Sequence, residues 1–111
     1  MVGLKGVLMA HSSDSAGLNN HHRDTLIKIF QHPTSHNIDW RTVVSLLDAV
    51  GTVEESGDDK VRVHVGDGML FLEKPRHKDL DIQQVLDVRH LLANAGYQSV
   101  VEEYEARGVE D

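Results

Sequence analysis

The apolar residues of this chain change their period at Gly51. Before it, Trp40, Val43, Val44, Leu47 and Val50 recur at the spacing that one face of an α-helix buries. After it, Val61, Val63 and Val65 alternate with Lys60, Arg62 and His64, the rhythm of a strand with one dry face. Further on, Ile82, Val85, Leu86, Val88, Leu92 and Ala95 restore the helical spacing. A chain that switches from helix to alternation and back is driven toward one solution, an α+β domain with helices covering one face of an antiparallel sheet.

Local chemistry sets the boundaries. Leu26, Ile27 and Phe30 predict a short helix over 22–31, which Pro33 ends by disfavouring helical geometry at His32. Thr34-Ser35-His36-Asn37 is turn chemistry, Asp39 is placed to cap a helix beginning at Trp40, and Gly51 is expected as its left-handed stop. Short strands are predicted over 52–55, 60–65 and 69–73. A turn at 56–59 joins the first two, and Gly66-Asp67-Gly68 makes a tight hairpin between the second and third. Pro75 ends the third strand, because proline cannot donate to a ladder. Asp81 can cap a last helix over 82–95, closed by Gly96, and 99–107 adds a short acidic turn of helix. The expected order is α-β-β-β-α with an extra N-terminal helix, two helices lying on one face of the three strands. Residues 1–21 read as a flexible leader, 22–97 as one domain, and 98–111 as an acidic tail or short helix. In this arrangement Lys60, Arg62 and His64 project from the uncovered face.

Composition narrows the function classes. The chain's 111 residues fit one domain, and with aromatics at 5% the core must rest on Val, Leu and Ile, with Trp40 as its one large anchor. There is no cysteine, which excludes a disulfide scaffold and thiolate chemistry and makes the cytoplasm the expected setting. No apolar run approaches the ~20 residues that span a bilayer, so no membrane partner is expected. The formal charge of −7 disfavours indiscriminate phosphate binding unless the cations are segregated. They do concentrate, at Lys60, Arg62, Lys74, Arg76, Lys78 and Arg89, with His64, His77 and His90 among them. The eight histidines include His21-His22, His32 and His36, but no HExxH accompanies them, so neither a metal nor a cofactor is expected.

Several stretches together resemble a known family. These are the helix from Trp40 to Gly51, the strand-turn-strand after it, Pro75-x-His77, and the ending Leu92-Ala93-Asn94-Ala95-Gly96. They are similar to HicA-type toxins, and 22–40 matches a leading stretch, HRxxLxxIFxHPxSHNIxW, of one subgroup. The resemblance covers roughly three quarters of the chain. It implies a fold like that of double-stranded-RNA-binding domains (dsRBD-like), ribosome-independent mRNA cleavage, and neutralisation by a HicB-like antitoxin. Such toxins carry Gly-Ser-His at the turn into the second strand, where the histidine is catalytic; this sequence has Gly57-Asp58-Asp59. A carboxylate is a poor proton donor at neutral pH and repels phosphate.

Two functional expectations follow. In one, the chain is a HicA-like toxin-antitoxin component that binds RNA through Lys60, Arg62, Lys74, Arg76 and Lys78. It then cleaves without metal through His64 or His77 as an endoribonuclease. In the other, it is a catalytically inactive protein-interaction module on the same fold. His64 also reads as an ordinary surface strand residue, and His77 as a loop residue organising the start of the last helix.

Overall fold

A computed structural model describes residues 18–106. Seven elements follow in order: α1 (Asn20–Ile29), α2 (Trp40–Val50), β1 (Thr52–Gly57), β2 (Lys60–Val65), β3 (Gly68–Glu73), α3 (Ile82–Asn94) and α4 (Tyr97–Ala106). The strands form one antiparallel sheet in the order β1-β2-β3. α2 lies against β1 and β2, α3 against β3, and α1 packs on α2 and α3. The architecture is the expected α+β, with four helices among the described residues.

Each boundary has a local cause. The Asp39 carboxylate accepts from the Arg41 N–H at 2.8 Å and starts α2. Asp81 and Gln84 cap α3 reciprocally, Asp81 Oδ1 accepting from Gln84 N at 2.8 Å and Gln84 Oε1 from Asp81 N at 3.0 Å. The Gln84 amide also donates to the Glu73 carbonyl at 2.7 Å, tying α3 to β3. The α1–α2 and β3–α3 loops are stitched together, with Trp40 N–H donating to Lys78 O at 2.7 Å and Leu80 N–H to Ile38 O at 2.9 Å. Arg89 of α3 clamps the end of α1. Its guanidinium donates to Ile29 O and Gln31 O, both at 2.9 Å, and to Thr34 Oγ1 at 3.2 Å.

The core holds Val43, Leu46 and Leu47 of α2, Val63 and Val65 of β2, Leu72 of β3, and Val85, Val88, Leu91 and Leu92 of α3. On α2 the stripe sits slightly off the expected line: Leu46 is fully buried, whereas Trp40, Val44 and Val50 are partly covered.

Two local expectations are corrected, at Gly51 and at the start of the domain. Gly51 is not a left-handed stop, since its φ of −160° is extended. It is needed for space: a Cβ there would lie 2.0 Å from the His64 carbonyl oxygen. Of the two readings of the C-terminal stretch, acidic tail or short helix, residues up to 106 follow the second, as the ten-residue helix α4 anchored by buried Val101 and Tyr104. Arg23 of α1 lies 5.6 Å from the Tyr104 ring centroid, a cation–π contact between the first and last helices. Residues before His22 also belong to the domain, because Leu18 is buried in the core and Asn19 caps α1 by accepting from His22 N at 2.8 Å. Residues 1–17, most of the expected leader, lie outside the described residues.

Candidate functional site

The uncovered sheet face is defined by register. Thr52, His64 and Met69 lie in one row across the three strands, and Glu54, Arg62 and Phe71 in the next. Lys60 lies opposite Glu73. Side chains in one row of neighbouring strands share a face, so Lys60, Arg62 and His64 project together, as the alternation of β2 required. All three are exposed, while Val63 and Val65 are buried on the other side.

The face is not basic. Its two cations are matched by two carboxylates: Arg62 Nη2 donates to Glu54 Oε1 at 2.7 Å, and Lys60 has Glu73 across the ladder. The Arg62 guanidinium beside Glu54 holds that carboxyl below its ordinary value, through the hydrogen bond first and charge second. Beside these charges stand two large apolar side chains, Met69 at 50% and Phe71 at 55% exposure. These two are the residues that sequence reading did not single out. Because β3 is apolar at 69–72 without alternation, no polar residue within that run marks its outer face. The signal lay in the turn. With Val65 opposite Gly68 across Gly66-Asp67, Leu70 and Leu72 fall on the covered side and Met69 and Phe71 outside. Gly66 has φ +60°, the positive angle that the first residue of a type II′ hairpin turn demands.

The two candidate histidines do not meet. His64 sits in the row nearest the β2–β3 hairpin, whereas Lys60 is at the far end of β2, about 13 Å along the strand. His77 belongs to the loop at that far end, next to Lys78, whose carbonyl receives the Trp40 N–H on the helix side of the sheet. An acid and a base must both reach one phosphate, and these two belong to opposite ends of the strands. Of the loop cations, Lys74 is placed near Lys60, because its N–H donates to the Asp59 carbonyl at 2.7 Å; Arg76 and Lys78 are exposed on the same loop. Arg89 is occupied by the end of α1, and His22 shares a 2.9 Å hydrogen bond with Ser45.

Asp58 and Asp59 form the β1–β2 turn beside Lys60 and Lys74. Asp59 has φ 59°, the only positive φ at a non-glycine residue among the described residues. Asp and Asn adopt this left-handed geometry far more readily than most residues, which gives the aspartate a local backbone reason for being there.

Among the described residues no group of three or more His, Asp or Glu side chains is placed to hold a metal ion. No helix among them is long and apolar enough to cross a membrane. Compared with protein-family models, with curated proteins and with solved structures, the chain matches none.

Proposed function

We propose that this chain is a non-catalytic interaction module on a HicA-like, dsRBD-like scaffold, and that its open sheet face receives a protein partner. One observation carries the proposal: Arg62, the central cation of the face, is held by Glu54 while Met69 and Phe71 stand exposed beside it. A phosphate docking there has to displace one carboxylate and approach a second, Glu73. A protein surface with apolar groups and mixed charge meets the face as it stands, since interface cores favour aromatic residues and Met. Asp59, at the turn that carries a histidine in the toxins the chain resembles, adds a further carboxylate where cleavage needs a proton carrier.

The test pairs a binding arm with a nuclease arm. The adjacent gene's product is expected to copurify with the wild-type chain and to be lost with Phe71→Glu. Single-stranded and hairpin RNA incubated with the purified protein in EDTA is expected to stay intact. RNA cleavage that disappears in His64→Ala or His77→Ala overturns the proposal.

One observation favours an RNA-directed reading, with a HicB-like antitoxin as partner. Phe71 lies next to Arg62 across the ladder, and an exposed aromatic beside a cation can stack a base. On this reading Lys60, Arg62, Lys74, Arg76 and Lys78 hold the backbone, and retention on RNA falls steeply as salt rises. Asp59→His then gains cleavage; on the preferred reading it gains none.

A further inference from the structure

β1 is an edge strand, and its free side adjoins a groove. The two-residue turn at Gly66-Asp67 makes Val65 and Gly68 a hydrogen-bonded pair, so Val65, Val63 and Val61 direct their main-chain groups to β3. The alternate residues His64 and Arg62 therefore bond to Thr52 and Glu54 of β1. This leaves the N–H and C=O groups of Val53 and Glu55 pointing outward from the sheet. Their side chains point to the helix-covered side, where α2 leaves a channel along β1 with half-buried Trp40, Val44, Val53 and Val61 as its floor. Asp48 and Glu55 stand on its rim with Arg41.

We propose that this edge and channel receive an extended, basic segment of a partner protein, added as a fourth strand beside β1. Residues of the added strand opposite Val53 and Glu55 hang their side chains over Trp40 and Val44; the alternate residues emerge on the other face beside Glu54. Charge selects the occupant. Apolar side chains fit the channel floor, and cations fit Glu55 and Asp48. A second copy of the chain fits poorly, because two-fold pairing about Glu54 or Glu55 sets that carboxylate against the same residue of the copy. The irregular register between Glu55 and Gly57 shortens the edge further. Nucleic acid is repelled by the same carboxylates. The site lies across β1 from the open face and does not depend on the function proposed above.

Trp40 is the chain's one tryptophan, so its emission reports occupancy directly. A decapeptide alternating Lys and Val is expected to shift that emission saturably, with a Kd below about 1 mM. Alternate N-methylation of the peptide removes its pairing N–H groups and is expected to weaken binding at least about tenfold. Glu55→Pro should weaken it similarly, since proline deletes an outward N–H and no ladder bond; circular dichroism checks that this variant folds. Glu55→Lys keeps the N–H and is expected to reduce affinity in a salt-dependent way. If Glu55→Pro does not fold, the methylated peptide decides. The proposal is overturned by no shift with the Lys–Val peptide or by equal binding of its Glu–Val counterpart. It is likewise overturned by undiminished binding of the methylated peptide, by a shift with an RNA oligonucleotide, or by one that tracks self-association in sedimentation.

Discussion

The two faces of the same three strands obey different rules. On the covered side, Val63, Val65 and Leu72 are at most 3% exposed and close against α2 and α3. On the open side, residues one position away in sequence stand in solvent as a salt bridge, a histidine and two large apolar groups. A single backbone ladder holds both, so the difference lies wholly in what each side chain meets. The covered face is decided by packing, where removing volume costs stability. The open face is decided by partners, where the same removal leaves the fold intact and acts on binding.

The largest expected effect breaks the comparison if it fails. Leu47→Ala, at a position with no exposure, is expected to lower unfolding free energy by about 2–5 kcal/mol, whereas Phe71→Ser should stay within about 0.5 kcal/mol. Urea denaturation of the two variants measures both, and a large loss at Phe71 would mean that the open face is part of the core. The next effect contrasts two arginines. Arg89→Ala strips donors from two carbonyls and a hydroxyl at the end of α1 and is expected to cost about 2 kcal/mol. Arg62→Ala, by contrast, should leave the denaturation midpoint close to wild type, because its bridge to Glu54 is exposed.

Two smaller effects appear only against pH. Burial raises the Tyr97 phenol above its ordinary value of 10.0. The unfolded chain therefore loses that proton first, and the contribution is intact below the ordinary value and lost as pH climbs toward the raised one. Thermal melts above that value should decline less steeply in Tyr97→Phe than in wild type. Glu54 has the opposite sign. Its carboxyl is lowered from 4.5 by Arg62, so its contribution is present above 4.5 and lost as pH falls through the lowered value. Glu54→Gln should flatten that acid limb slightly, as melts between neutral and acid pH will show.

Sequence pattern located most of the scaffold because its signals are local. Asp39 and Asp81 are helix caps wherever they precede a helical stripe, and the alternation of β2 assigned both faces of the sheet from six residues. Lys60, Arg62 and His64 were placed together for the same reason. What escaped depends on contacts distant in the chain. The match of Arg62 to Glu54 arises from strand register, and the separation of His64 from His77 arises from the loop held by Trp40. Nor does composition distinguish α4 from a solvated acidic tail, because what makes it part of the domain is the packing of a few residues, Val101 and Tyr104 foremost. Gly51 shows the subtler case: glycine after a helix suggested a left-handed stop, while the constraint is the neighbouring strand's carbonyl.

The Arg89 clamp orders events during synthesis. The carbonyls it grips lie 60 and 58 residues earlier in the chain, so α1 leaves the ribosome long before its fastener exists. A ten-residue helix alone is marginal in water. The end of α1 therefore gains these bonds only once α3 has been made, although α2 is there to pack against it earlier.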